Sequence, residues 1–187
     1  FQQVDVFSTE LLGNPVAVVL EAEGLTSEQM QGLARWTNLS ETAFVLAPTV
    51  PGADYRVRIF TPAQELPFAG HPTLGTAHVV RSLEGAGDSL SLEMKAGVIP
   101  VAASGDRWTL TANAPRSREV TESRAELADI LGLSSGAIAE RPLWVNAGKE
   151  QLVVPVASGE AVRRARPRAD AFSRLKSEDG QSMAYVF

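Results

Sequence analysis

The stretch Glu65–Leu83, ELPFAGHPTLGTAHVVRSL, limits what this chain can fold into more than any other. It opens as an extended run, Leu66-Pro67-Phe68, turns through Ala69-Gly70 and continues as a helix over about residues 72–83. Pro72 is expected at the first helical position, where a missing N–H costs nothing and φ is already helical. Leu74, Gly75, Ala77, Val79, Val80 and Leu83 leave this helix no polar face, the pattern of a buried helix. Its first turn nevertheless carries His71 and Thr73, beside N–H groups that have no partner inside the helix. A buried helix whose start opens on a polar pocket is an anion site. The same residues also suit an ordinary core helix with a histidine at its cap.

Around that stretch the chain alternates strands and turns. Gln3–Phe7 reads as a strand, Gly13-Asn14-Pro15 as a turn, and residues 16–20 as a buried strand. Thr26 starts a helix as N-cap, Gln29 completes a capping box, and Leu25 and Met30 are placed as a staple. Asn38 ends that helix, and a strand follows over residues 43–47. Tyr55, Val57 and Ile59 face one way on the next strand, and Arg56, Arg58 and Phe60 the other. Residues 89–94, 98–103 and 108–112 form an antiparallel meander joined by short turns. The segment Asn113-Ala-Pro-Arg-Ser is the expected boundary, giving an N-terminal lobe over residues 1–115 and a second over 116–187. In the second, a helix runs from Ser123 to Leu131 and stops at Gly132. Strands at 143–146 and 151–156, a weaker helix at 159–165 and a strand at 183–187 follow. From Trp144 onward this order repeats that of the first half: strand, turn, strand, helix, strand. Read so, the second lobe ends about one supersecondary unit early, and the sequence is expected to be incomplete.

Composition removes several classes of function. A net charge of −5 argues against a general nucleic-acid binder. The apolar runs are too short for a membrane span, and with no leader before Val4 the cytoplasm is the expected compartment. The absence of cysteine removes disulfides, thiolate metal sites and thiol bases. Among the remaining candidates, Glu41 sits in NLSETAF between apolar neighbours, which raises a carboxylate's affinity for a proton and suits a general acid or base. An exposed loop glutamate fits the same pattern. His71 suits proton transfer or substrate orientation, or simply caps the helix. His78 lies two turns along, roughly 10 Å from His71, too far to share a metal ion, and reads as structural. No metal site is expected. The RRARPR run, residues 163–168, reads as a solvated helix end.

Four segments taken together carry a resemblance: GNPVAVV (Gly13–Val19), NLSETAF (Asn38–Phe44), RIFTP (Arg58–Pro62) and ELPFAGHPTLGTAHV (Glu65–Val79). They resemble the PhzF family of phenazine biosynthesis, which has the diaminopimelate epimerase-like fold. The likeness is specific over residues 1–112 and looser to Phe187. It implies an α+β protein of two similar lobes, each a mostly antiparallel sheet curled around a central helix. The implied active site lies in the cleft between the helix N-termini, and the implied assembly is a homodimer. The implied activity is that of an isomerase moving a proton within a small cyclic or unsaturated amino-acid-like carboxylate, without metal or organic cofactor. Glu41 matches the family's proton-shuttling glutamate, and His71 its helper. Gly70, Pro72 and Thr73 at the helix start, with Asn14 and Ser40, make up the expected substrate-binding set. The related epimerases and proline racemases use two thiols. Ala69 stands where the first would be, so that route is closed to this sequence. The family's second-lobe Gly-Asp-Pro-Ala-Thr-Gly motif is absent from these residues. A non-catalytic small-molecule-binding or scaffold protein is therefore the competing expectation.

Overall fold

A computed structural model describes residues 1–7 and 11–187. They form two compact units, Phe1–Asn113 and Ala114–Phe187. The first holds β1 (Gln2–Val6), β2 (Asn14–Val19), α1 (Ser27–Thr37), β3 (Glu41–Leu46), β4 (Tyr55–Phe60), β5 (Glu65–Leu66), α2 (Gly70–Glu84), β6 (Ser89–Met94), β7 (Gly97–Ser104) and β8 (Arg107–Leu110). Its sheet runs β1-β2-β3-β4-β6-β7-β8, with β5 beside β4. Every pairing is antiparallel except β2 with β3 and β4 with β6. Those are the two joints where a helix lies between the strands in sequence. A parallel neighbour requires such a crossover.

The two helices take opposite faces of this sheet. Alternation along β3 and β4 sends Ala43, Val45, Val57 and Ile59 into one core with Ala77, Val79 and Val80 of α2. Phe44 and Phe60 go the other way, edge to face at 5.5 Å, and pack with Met30 and Ala34 of α1. Val6 of β1 and Val101 of β7 both belong to the α2 core, with Trp108 and Leu110 of β8 packed against it. Strands from both ends of the path thus touch one helix, so the sheet curls around α2. The fold is α+β, with a mostly antiparallel sheet around a central helix. A Cβ at Gly75 would stand 2.6 Å from Val16 Cγ1 and 3.0 Å from Val6 Cγ2. Only glycine lets α2 lie this close to the sheet.

Several expectations need correction. The central helix starts at Gly70 with Ala69 as N-cap, so Pro72 is its third residue rather than its first. The position is still tolerated, because a first-turn N–H has no partner inside the helix. Leu83, counted with the buried face, is 60% exposed near the helix end. Asn14 and Pro15 are not turn residues: both belong to β2, opposite Val6 and Asp5 of β1. The helix α1 matches its reading closely, with the Thr26–Gln29 capping box formed and Asn38 left-handed at φ 53°.

The second unit holds β9 (Arg116–Glu119), α3 (Arg124–Ile130), β10 (Leu143–Asn146), β11 (Glu150–Val154), α4 (Gly159–Arg164), α5 (Ala169–Phe172) and β12 (Ala184–Val186). Its sheet order is β12-β11-β10-β9. Leu127, Leu131, Ile138, Trp144, Leu152, Val154 and Leu175 form its core. Glu150, 5% exposed, takes a bidentate contact from Arg118, whose guanidinium lies over the Trp144 ring. Neither β9 nor α5 was anticipated. The sequence of β9, RSRE, has no apolar alternation to read. Arg163 and Arg164 pair with Glu160 on exposed α4, as a solvated helix end does.

Strands β10 and β11 pair antiparallel, and β11 and β12 pair parallel with helix between them. In the first unit, β1, β2 and β3 repeat that arrangement, with α1 as the crossover. Among the described residues, no helix is long and apolar enough to cross a membrane.

Candidate active site

Topology gathers the candidate residues of the first unit. Because β2 and β3 run parallel, with Val16 opposite Glu41, their N-terminal ends lie side by side. Asn14 opens β2, Ser40 precedes β3 and Glu41 is the first residue of β3. The first turn of α2 brings His71 to the same end. His71 Nε2 stands 3.2 Å from Glu41 Oε2, with only 9% and 16% of the two side chains exposed. The atoms are close but out of line for a hydrogen bond, and neither has another partner among the described residues. On its other nitrogen, His71 Nδ1 lies 3.2 Å from Asn14 Nδ2. Ser40 Oγ lies 2.9 Å from Asn14 Oδ1 and 3.3 Å from the Pro15 carbonyl.

Two buried polar atoms facing each other without a completed bond are costly to keep. Catalytic contacts are often poorly aligned until substrate arrives. Burial pushes the His71 ring below the ordinary histidine range, and the Glu41 carboxylate and the Pro15 carbonyl pull it only part of the way back. The imidazole is therefore neutral at neutral pH, able to give a proton at one nitrogen and accept at the other.

The start of α2 is open to the same end of the sheet. No acidic residue sits in its first turn and no side chain caps it. Its positive end is uncompensated within the helix. Thr73 offers less than expected: its hydroxyl bonds the Ala69 carbonyl at 2.7 Å and its N–H the same oxygen at 3.3 Å. Pro72 has no N–H to give. The backbone donors left in the first turn are therefore those of Gly70 and His71. Nothing lies within 4 Å of where a Gly70 Cβ would be, so that backbone faces open space. Pro72 and Thr73 shape the helix start, while Gly70 and His71 present it. The Pro15 carbonyl is the participant that sequence reading missed. A backbone oxygen leaves no mark in residue type.

A cavity of about 640 Å³ lies elsewhere in this unit, lined among others by Asp5 of β1, Leu74 and His78 of α2 and Trp108 of β8. None of Asn14, Ser40, Glu41 and His71 lines it. Volume alone would favour that cavity. The facing Glu41 and His71 side chains and the uncapped start of α2 lie apart from that cavity.

Comparison with known proteins shows the family. The family described as phenazine biosynthesis-like protein matches residues 4–185. An uncharacterized isomerase of Mesorhizobium japonicum is 38% identical over 98% of this chain and 65% of its own length. A trans-2,3-dihydro-3-hydroxyanthranilate isomerase of Pseudomonas aeruginosa is 52% identical over 100 residues, 53% of this chain and 35% of that protein. The crystal structure of a PhzF-family phenazine biosynthesis protein from Bacillus anthracis superposes with TM-score 0.79 at 29% identity, covering 100% of this chain and 67% of that one. The chain thus spans about 65% of the length of a curated relative that it matches almost throughout.

Proposed function

This chain belongs to the phenazine biosynthesis-like protein family, and from that premise we propose that it serves an isomerase moving a proton within a small cyclic or unsaturated amino-acid-like carboxylate. The observation that carries the reading is the buried Glu41–His71 contact at the uncompensated start of α2. The Gly70 and His71 N–H groups take the substrate carboxylate. Charge developing on it in the transition state is met by donors already in place. Glu41 takes a proton from the adjacent carbon, holds it as a carboxylic acid and returns it to another carbon, and His71 Nε2 steadies the carboxylate before the first transfer and after the second. The chemistry asks for one acid–base group and fixed donors, so the reading is cofactor-independent. It extends to a homodimer, as the family resemblance implies, and to the cytoplasm as its compartment. Sedimentation of the purified chain reads the dimer directly.

The substrate to try is trans-2,3-dihydro-3-hydroxyanthranilate, which names the Pseudomonas aeruginosa relative. The purified chain, incubated with it in heavy water, is expected to yield the isomerised product, with deuterium at the reprotonated carbon wherever the shuttled proton exchanges. Binding without product would favour the non-catalytic reading. Neither binding nor product would remove this substrate class.

A further inference from the structure

Asn14 and Ser40 were expected to bind substrate; the structure links them to His71 in a chain, Ser40 touching Asn14 and Asn14 touching the ring. Asn14 Nδ2, a donor only, lies 3.2 Å from His71 Nδ1. The pair is attractive only if Nδ1 carries no proton and accepts. The single proton of the neutral ring then sits on Nε2, facing Glu41 Oε2 at 3.2 Å. Asn14 is held in this sense by its own oxygen, which accepts from Ser40 Oγ at 2.9 Å.

The reverse arrangement can be drawn with the same atoms. Ser40 would turn its O–H to the Pro15 carbonyl, 3.3 Å away. The Asn14 amide would rotate, donate to Ser40 Oγ and accept from a protonated His71 Nδ1. Nε2 would then aim a lone pair at Glu41. An ionised carboxylate offers acceptors alone, so two acceptors would meet where 9% and 16% of the side chains are exposed. Two facing acceptors in so dry a place repel with little screening. The first arrangement turns an N–H rather than a lone pair toward the carboxylate, and its Ser40 contact is the shorter of the two, 2.9 against 3.3 Å.

We propose that Asn14 and Ser40 are positioning residues acting through His71: the Ser40–Asn14 pair holds the imidazole as its Nε2–H tautomer and so presents an N–H to Glu41 and to the reacting carbon beside it. This rests on the functional reading above for its purpose, but its geometry stands apart from turnover. A substrate-binding role predicts that substitution raises KM. A tautomer-setting role predicts that it lowers kcat with little change in KM.

The test is ¹⁵N NMR of the intact chain labelled at the histidine rings. The sequence has two histidines, so His78 serves as the internal reference. In the unaltered chain, His71 is expected to show Nδ1 with the shift of an unprotonated acceptor nitrogen and Nε2 with that of an N–H. Asn14→Asp, nearly the same shape but unable to donate, is expected to put a proton on Nδ1. Ser40→Ala, which removes the brace on the amide, is expected to give averaged shifts from both tautomers. His78 is unmoved in each. A protonated Nδ1 in the unaltered chain overturns the proposal, as does an unchanged His71 spectrum in Asn14→Asp or, should that variant not fold, in Ser40→Ala. The assay needs no substrate. The expected spectra in a chain without turnover would remove the isomerase reading and leave the tautomer assignment standing.

Discussion

His71 is the residue on which opposing forces meet. Burial disfavours its charged form, and the Glu41 carboxylate and the Pro15 carbonyl favour it without overcoming burial, so the ring takes a proton less readily than the ordinary value of 6.5. The unfolded chain then binds this proton at higher pH than the folded protein does. Stability from this residue is complete above about 6.5 and is lost as pH falls toward the folded value. The urea midpoint is expected to decline as pH drops below 6.5, and His71→Gln should flatten that decline. Glu150 acts in a separate window: Arg118 holds its carboxyl below its ordinary 4.5, so its contribution fades only in more acid solution. An equal decline in both proteins between those two values would mean that His71 is not held neutral by burial. The residue types were legible from the sequence, since Glu41 and His71 stood out by their neighbours. Which atoms they would touch was not, because the partners of His71 come from β2 and β3, far away in the chain.

The helix α2 was legible as an element because its apolar face is continuous, and its misread start shows the limit of such reading. Proline fits the first position and also the third, since no first-turn N–H is bonded within the helix. Local sequence cannot choose between them. The choice is made by Ala69, extended at φ −151° and ψ 135°, which ends the chain's passage from β5. Capping chemistry fared better: Thr26 with Gln29 and Ser123 with Glu126 form the reciprocal bonds their spacing implies. Asn14 and Pro15 were misread because both favour turns, yet β2 uses them where it first meets β1. The close approach of α2 to the sheet gives a direct prediction. Gly75→Ala places a methyl 2.6 Å from Val16 Cγ1, and valine in a strand has few rotamers with which to yield. Overpacking of this kind costs about 1–3 kcal/mol, less the helix-propensity gain of roughly 1 kcal/mol from removing glycine. Chemical denaturation should show net destabilisation, with amide exchange accelerated in β1, β2 and α2. A stabilised variant would show that Val6 and Val16 can retreat, and that the contact does not hold α2 in register.

At the scale of the molecule, the strand pattern of the first unit, β1-β2-β3 with one antiparallel and one parallel joint, returns in the second as β10-β11-β12. Their order was readable from turns and apolar runs. Strand β9 was not, because its four residues are polar and follow the proline of the expected boundary segment. Nor could the sequence show that both parallel joints fall where a helix interrupts the strands, which is what aligns the ends of β2 and β3 under the start of α2. That alignment sets Glu41 beside the helix start, where the proposed function has it move the proton. The most direct measurement is steady-state turnover of trans-2,3-dihydro-3-hydroxyanthranilate by Glu41→Gln and His71→Asn beside the unaltered chain. Glu41→Gln keeps the shape and removes the base, so kcat should fall by at least roughly a hundredfold with KM little changed, and His71→Asn should fall less. Near-normal turnover in Glu41→Gln with none in His71→Asn would reverse the two roles, and turnover untouched by both would contradict the site altogether.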